Sequence, residues 1–338
     1  MISTDRLIFD EKSDVRARQI EYAKDYDEVH IVIFQNSKFQ IPNSKISLNS
    51  FQIAPNCWVY STQSLFKAFY PFDAIKIGKQ IIKQHGITEI TCQDASLTAM
   101  ASVSLKKKFV IPLEIQIHED LGSPNYAYNL TNKIRRILAQ RYIPKADKVR
   151  VVSERIKRYV VSLRRDLKEI EVRPIAVDTE RIKNAPILID LHRKYRQFDK
   201  IVLMASRLEK EKNIELAIKS WPEVVKSFPK AGLIIVGSGS QISNIKSLTS
   251  YLLSLTSNNS IIIENRVDRD ILVSYYKTAD VFLNTSLFEG YGMTLVEARA
   301  AGCRIISTDV GVAREVGATI VEFNTSDVAS TITKLLQS

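Results

Sequence analysis

The residues best suited to chemistry lie in one short segment, where two glutamates flank a pair of glycines. A buried apolar run ends near Asn284, and a helix is expected to begin near Gly292. Glycines at such a turn let the backbone approach a ligand closely, and the amides at a helix start favour a phosphate. The segment therefore predicts a phosphate-binding turn, with a solvated turn as the alternative. Its members are Glu289, Gly290, Tyr291, Gly292, Met293 and Glu297.

A second group of charged residues follows another apolar run. Arg207 and Lys212 stand in the segment from Ala205 to Asn213, which should form a loop and then open a helix. Both side chains could reach one anionic group from this loop, and a charged surface loop is the alternative. Because ligands of parallel α/β sheets bind at the carboxyl ends of strands, the position favours anion binding.

A third candidate is the sequence Gly237-Ser238-Gly239, which follows the next apolar run. A single G-x-G is a weak signal. The two glycines could let the backbone approach a base or a ribose, which makes Gly237 and Ser238 candidate contacts. A plain strand-to-helix turn would need the same glycines.

The elements that position these residues are short apolar runs that alternate with amphipathic stretches. Runs of four to seven residues with nearly continuous apolar character are typical of strands buried on both faces of a parallel sheet. Their alternation with helices predicts a doubly wound α/β architecture. The runs are Val29 to Phe34, Cys57 to Ser61, Thr88 to Cys92, Leu113 to His118, Lys148 to Val152, Lys200 to Ala205, Gly232 to Val236, Ile261 to Glu264, Val281 to Asn284 and Arg304 to Thr308.

These runs fall into two series, which predicts two similar domains facing a central cleft. We expect an N-terminal domain at residues 1–178, a linker at 179–199 and a C-terminal domain at 200–338. Only Met1 and Ile2 precede the polar Ser3, so the first strand is expected to be short or incomplete.

Bulk composition narrows the class of protein. The chain has 338 residues and a net charge of +11, which suggests an anionic partner. Three cysteines form no C-x-x-C pair, so metal or redox use is not expected. No apolar stretch reaches the roughly 18 residues that a membrane span needs, and no signal-peptide pattern precedes the first run. These features favour a cytoplasmic protein.

The glutamate segment and the Arg207–Lys212 loop together resemble the family 4 retaining glycosyltransferases of GT-B fold, across about Lys200 to Val316. The family signature E-x7-E stands here as Glu289 to Glu297. The resemblance implies that Arg207 and Lys212 contact the diphosphate of a nucleotide-sugar donor. It also implies that Glu297 binds the nucleotide ribose and that Glu289 lies at the transferred sugar. The amides of Gly290 to Met293 would hold sugar and phosphate oxygens.

The resemblance also covers parts of the first domain. His118 ends a predicted strand, where family members often carry a histidine close to the donor sugar. Gln93-Asp94 follows another strand, and Ala176-Val177-Asp178 resembles the family's P-x-G-V-D turn imperfectly. The implied reaction is transfer of a sugar to a glycan or lipid-linked acceptor, with retention of configuration. No cofactor and no metal are expected, because Arg207, Lys212 and helix amides can meet the diphosphate charge.

A basic amphipathic segment could bring the chain to a membrane. Ile134, Ile137, Leu138 and Arg141 follow helical spacing, with cationic residues on the remaining faces. Such a helix could lie on the inner, anionic face of a bilayer. A solvated helix face is the alternative.

Other residues have weaker claims. Asp25-Tyr26-Asp27 spells a D-x-D metal motif but precedes a strand, away from the expected cleft, and His30, His85 and His192 have no partners at ligand spacing. A nucleotide-sugar epimerase of the same fold and, from another class, a basic nucleic-acid-binding protein remain alternative functions. Nucleic acid is the less favoured partner, because the glycine-glutamate turn has no role there. A dinucleotide oxidoreductase is least favoured, because no early G-x-G-x-x-G is present.

Overall fold

The computed structural model describes residues 1–36, 50–164, 167, 169–256 and 260–337. The chain divides into two compact units, Met1–Arg173 and Pro174–Ser338. Residues 179–199, which we expected as a linker, belong to the second unit, where Leu191 is buried in the core.

The first unit is built on a sheet whose described strands run in the order β3-β4-β2-β1-β5-β6-β7-β8. The central strands β2 and β6 are buried at every residue, as their apolar runs predict. Neighbouring strands are parallel, except that β3 is antiparallel to β4. The strands are β1 Ile2–Ser3, β2 Val29–Ile33, β3 Ser50–Ala54, β4 Cys57–Ser61, β5 Ile90–Cys92, β6 Leu113–Ile117, β7 Lys148–Val151 and β8 Glu169–Val172.

Helices of the first unit begin at polar caps. The side chains of Ser13, Asn129 and Ser153 accept hydrogen bonds from the first-turn amides of α1, α4 and α5. The helix α2 ends at Gly86, whose φ of 59° is left-handed and suits a glycine. The helices are α1 Asp14–Ala23, α2 Tyr70–His85, α3 Leu97–Phe109, α4 Leu130–Tyr142 and α5 Glu154–Leu163.

The second unit is built on a parallel sheet whose described strands run in the order β11-β10-β9-β12-β13-β14. Successive residues of β9 face opposite sides of this sheet. Val202 packs in one buried cluster with residues of α8 and α12, whereas Leu203 packs in another with residues of α10 and α11. The strands are β9 Lys200–Ala205, β10 Ala231–Val236, β11 Ile261–Glu264, β12 Val281–Asn284, β13 Arg304–Thr308 and β14 Thr319–Val321.

The helices of the second unit cover both faces of that sheet, which is the doubly wound arrangement that the sequence predicts. They are α6 Thr179–Asn184, α7 Leu191–Lys194, α8 Ile214–Ser227, α9 Ile242–Thr256, α10 Arg269–Thr278, α11 Met293–Ala300 and α12 Thr325–Gln337. Among the described residues of both units, no helix is long and apolar enough to cross a bilayer.

Three strands escaped the sequence prediction, and all three lie at sheet edges. They are β3, β8 and β14. An edge strand is covered on fewer sides, so its sequence need not form a continuous apolar run. In β8 no residue is fully buried, and two of its four residues are glutamates. The strands predicted from apolar runs pair with one another in parallel, whereas the unpredicted β3 is antiparallel to β4.

Candidate functional site

The candidate site of the second unit lies where three neighbouring strands end. In the sheet β12 lies between β9 and β13, so the loops that follow these strands meet at one edge. Backbone hydrogen bonds tie the loops together. The amide of Leu287 donates to the carbonyl of Glu211 at 2.7 Å, and the amide of Val312 donates to the carbonyl of Tyr291 at 2.9 Å. The three loops therefore form one fixed surface.

Lys212 and Glu289 form an ion pair across two of these loops. Nζ of Lys212 lies 2.5 Å from Oε1 of Glu289, and only 13% and 14% of the two side chains are exposed. The hydroxyl of Ser286 donates to the same carboxylate oxygen at 2.8 Å. The sequence predicts both residues at the site but does not predict that they pair. The arrangement can present a positive and a negative group to one ligand.

The helix α11 begins beside this ion pair. Gly292 caps the helix, which begins where the sequence predicts, and its left-handed φ of 93° suits a glycine. A second close approach occurs at Gly311, where an added Cβ would lie 2.2 Å from the carbonyl oxygen of Tyr291. The first amides of a helix have no partner within the helix, so they can donate to an anion.

Glu297 lies one turn into α11 and is buried. The hydroxyl of Tyr276 donates to its Oε2 at 3.4 Å, and the guanidinium of Arg269 lies 3.4 Å from its Oε1. Burial raises the pKa of Glu297, while Arg269 and the hydrogen bond from Tyr276 act against the shift. The weak contacts leave this buried carboxylate able to accept further hydrogen bonds.

Arg207 is placed differently from Lys212. Its guanidinium pairs with Glu211 at 2.9 Å, and 71% of the side chain is exposed. The loop backbone holds the residue at the carboxyl end of β9, as predicted, but the side chain reaches into solvent. Arg207 can therefore turn toward an incoming anion with little loss of packing.

The glycines at 237 and 239 have a packing role in the fold. An added Cβ at Gly237 would lie 1.9 Å from the carbonyl oxygen of Ser206, and one at Gly239 would lie 2.4 Å from that of Leu208. The amide of Leu208 also donates to the carbonyl of Ser238 at 2.8 Å. The close approach to the β9 loop accounts for both glycines without a ligand. Nucleoside contacts of Gly237 and Ser238 remain a prediction.

His118 belongs to the first unit, where it follows the carboxyl end of β6. Desolvation lowers the pKa of its imidazole, and the charges of Arg150 and Arg18 lower it further, although the residue reaches solvent. The ring is therefore favoured in its neutral form. Two other sequence candidates act locally. Asp94 accepts from the amide of Ser96 at 2.6 Å, and Asp178 caps α6.

Three further histidines have partners that their sequence spacing does not predict. Nε2 of His192 lies 3.2 Å from Oδ2 of Asp280, in a partly buried pair. His30 and His85 were expected to have no ligand partners, yet the fold brings both beside Glu28. Sequence spacing could not show this, because His85 ends α2, 55 positions after His30. Asp25 and Asp27 precede β2, at the sheet edge opposite the carboxyl ends.

Tyr276 and Arg269 contact the site, although no sequence motif marks them. Both lie on α10, and they reach Glu297 because α10 packs beside α11. No local motif marks such a contact, since it depends on the packing of two helices.

Part of this chain is similar to a known protein family. Residues 191–337 match the family described as Glycosyl transferases group 1. The phosphatidylinositol N-acetylglucosaminyltransferase gpi3 subunit of Schizosaccharomyces pombe is 28% identical over 257 residues, which are 74% of this chain and 52% of that protein. The alpha-monoglucosyldiacylglycerol synthase of Streptococcus pneumoniae is 29% identical over 109 residues, which are 32% of this chain and 24% of that protein. The chain thus spans between about a quarter and about half of the length of these curated relatives.

Among solved structures, a sucrose-phosphate synthase from Thermosynechococcus elongatus superposes with a TM-score of 0.73 at 18% identity. The superposition covers 100% of this chain and 90% of that chain. It confirms the predicted GT-B fold class with two Rossmann-like units. The comparisons give no support to the epimerase or to the nucleic-acid-binding alternative. The C-terminal region of this chain is therefore similar to the group 1 glycosyltransferases, and the whole chain has the GT-B fold.

Proposed function

We propose that the chain transfers a sugar from a nucleotide-diphosphate sugar to a lipid-linked or glycan acceptor. The observation that carries this proposal is the Lys212–Glu289 ion pair at the start of α11. It puts a cation, a carboxylate and helix-start amides together at the carboxyl ends of neighbouring strands. A nucleotide-diphosphate sugar offers matching groups, namely an anionic diphosphate and neutral sugar hydroxyls.

Lys212 and the first amides of α11 would stabilise the diphosphate as the glycosidic bond breaks. Positive charge fixed where negative charge develops is the largest contribution in many enzymes. Arg207, exposed on the same loop, would close on the diphosphate after binding. With these groups meeting the charge, the reaction needs no metal ion.

The two glutamates would have separate roles at the donor. Glu297 is buried and weakly bonded, so its carboxylate would accept from the ribose hydroxyls. Glu289 would hold a hydroxyl of the transferred sugar, and a catalytic role for His118 of the first unit stays a prediction. A glycosidase needs two carboxylates on either side of the bond. Both glutamates stand on one loop and helix of the second unit, so we assign them to the donor and the chain to the E-x7-E, family 4 retaining class.

A lipid-linked acceptor is supported by the surface of α4. Leu130, Ile134 and Ile137 lie on one stripe of this helix and are 72%, 48% and 62% exposed. Lys133 and Arg141 are exposed on the same helix. An apolar stripe flanked by cations is typical of helices that lie on anionic bilayers. The names of both curated relatives given above also contain a lipid, diacylglycerol in one and phosphatidylinositol in the other.

A second apolar surface of the first unit supports the same acceptor. Large side chains before and at the start of α2 are mostly exposed, and successive rings lie 6.4 Å apart. They are Leu65, Phe66, Phe69 and Phe72. Phe and Leu side chains are typical of surfaces that insert into the lipid–water interface. A bilayer that presents the acceptor would therefore meet the first unit at α2 and α4.

A thermal-shift screen against UDP, GDP and ADP sugars tests the donor assignment. A ligand at a hundred times its dissociation constant should stabilise the chain by about 2.7 kcal/mol. Release of free nucleoside diphosphate only when acceptor lipid is added supports transfer. Conversion of the nucleotide sugar without any acceptor would support the epimerase instead, and no shift with any nucleotide sugar would refute the proposal.

A further inference from the structure

A cluster of three potential metal ligands lies at the amino ends of the strands of the first sheet, outside the site described above. Oε2 of Glu28 is 3.1 Å from Nε2 of His30 and 3.1 Å from Nδ1 of His85. The ligand atoms of all three residues lie within 4.8 Å of one another. In the described part of the chain, these are the three histidine, cysteine or carboxylate side chains whose ligand atoms come this close together.

We propose that Glu28, His30 and His85 bind a zinc-class divalent transition-metal ion. Ligand atoms around a tetrahedral zinc ion, with bonds of about 2.0–2.1 Å, lie about 3.3 Å apart. The two carboxylate–imidazole distances are already close to that separation. Imidazole nitrogens select zinc and its neighbours, whereas calcium and magnesium prefer sites made entirely of oxygen.

Surrounding residues hold His30 in the orientation of a ligand. Its Nδ1 lies 2.9 Å from the hydroxyl of the buried Tyr60, and its ring stacks on Trp58 with centroids 5.1 Å apart. If Nδ1–H donates to Tyr60, the lone pair of Nε2 faces Glu28. Metal-binding histidines are commonly fixed through their second nitrogen in this manner.

The cluster also opens on space for further ligands. A cavity of about 600 Å³ is lined by Glu28, His30 and His85, and the two carboxylates of the D-x-D sequence, Asp25 and Asp27, line it as well. Water molecules in the cavity can complete the coordination, and the acidic wall favours a cation. Asp25 and Asp27 of the D-x-D sequence would then lie near this metal, at the amino ends of the strands, and not at the donor.

The ion would act as a structural clip. His30 is in β2 and His85 is the last residue of α2, so a bound metal joins a central strand to the end of a helix. The donor residues Lys212 and Glu289 belong to the other unit. The proposal is therefore independent of the proposed transferase function, and either can fail alone.

Zinc titration of the chelator-stripped protein tests the site. Calorimetry should show one saturable equivalent, with a rise in Tm, and Co²⁺ should give visible absorption bands of a four- or five-coordinate site. His85→Ala and Glu28→Gln should each weaken binding by more than the 10- to 100-fold typical of an outer-shell partner, and Tyr60→Phe should fall near that range. His85 and Glu28 reach solvent, so both variants should fold.

His192→Ala is the matched control, because that histidine also pairs with a carboxylate but in the second unit. It should keep the full equivalent of zinc. Absence of saturable binding, or an unchanged equivalent in both His85→Ala and Glu28→Gln, would overturn the proposal. In that case Glu28 only accepts hydrogen bonds from the two imidazoles.

Discussion

The ammonium of Lys212 lies 2.5 Å from the carboxylate of Glu289, although 77 positions separate the two residues. Each side chain is mostly shielded from water, so the pair neutralises charge inside the candidate donor site. An incoming diphosphate must therefore compete with Glu289 for Lys212. A sugar hydroxyl that donates a hydrogen bond to Glu289 can in turn replace the lost cation.

This competition predicts opposite effects of Glu289→Gln on binding and on turnover. Without the carboxylate, Lys212 is free for the diphosphate, so a nucleoside diphosphate should bind about fivefold more tightly, if the pair is worth about 1 kcal/mol. Loss of a contact that strengthens at the reacting sugar should lower kcat by a factor on the order of 10². Calorimetry and steady-state kinetics measure the two effects. Unchanged diphosphate binding together with unchanged kcat would show that Glu289 does not belong to the site.

Lys212→Ala should weaken binding of the nucleoside diphosphate far more than binding of the nucleoside. A lysine in this position meets phosphate as a point charge and does not recognise a base. Calorimetry with both ligands measures the difference, and circular dichroism checks the fold. Lys210→Ala is the matched control, because Lys210 is exposed in the same turn. Equal losses for the nucleoside and its diphosphate would place Lys212 away from the phosphates.

The sequence predicted the loops of the site better than their side-chain contacts. Gly292 caps α11 as expected, because a strand-to-helix turn with a left-handed residue requires a glycine locally. The pairing of Lys212 with Glu289 depends on the strand order that brings β9 beside β12, which no local pattern contains. The same holds for Tyr276 and Glu297, which meet through helix packing.

The first unit shows the same limit. Its buried central strands were predicted from continuous apolar runs, whereas the edge strand β3 carries no such signal. The sequence does not predict that His30 and His85 meet. Their contact depends on where the end of α2 packs against β2, and no periodic pattern in the sequence encodes that packing. Local chemistry can be read from a sequence, but contacts between distant elements require the fold.

Transferase activity should persist in a strong chelator, because Lys212, Arg207 and helix amides meet the diphosphate charge without a metal. The assay compares initial rates with and without EDTA at a temperature well below Tm. Any fall in Tm under EDTA reports on the proposed Glu28–His30–His85 site and leaves the rate unchanged. Complete loss of activity that manganese restores would contradict metal-independent transfer.

The chain should sediment with anionic vesicles and be released as salt rises, because exposed apolar and cationic side chains share α4. Salt screens the attraction between the cations and the lipid surface. Ile134→Ser with Ile137→Ser should weaken sedimentation with little effect on Tm, since both side chains are exposed. Tyr251→Ser, at an exposed position of the second unit, is the control. Sedimentation that does not depend on vesicle charge would indicate that the exposed face of α4 is solvated and does not bind the membrane.

Glu297→Gln should raise the KM for the donor and leave kcat nearly unchanged. The ribose hydroxyls do not react, so their contacts are equally strong in the ground and transition states. Steady-state kinetics with varied donor measures the split. A fall in kcat at unchanged KM would exchange the roles of Glu297 and Glu289.

The same variant should also be more stable than the wild type at neutral pH. Burial raises the pKa of Glu297, so the folded chain disfavours the carboxylate, and its stability is highest below the unfolded pKa. That stability is lost as pH rises through the folded pKa, and glutamine, which stays neutral, avoids the loss. Arg269 loses a partner but is half exposed, so water can replace the contact.

Thermal melts should therefore give Glu297→Gln the higher Tm at pH 7 to 8, with the difference shrinking as pH falls. Glu223→Gln, at an exposed position of α8, should show no such trend. A lower Tm for Glu297→Gln at neutral pH would mean that the contacts with Arg269 and Tyr276 outweigh the cost of burying the charge.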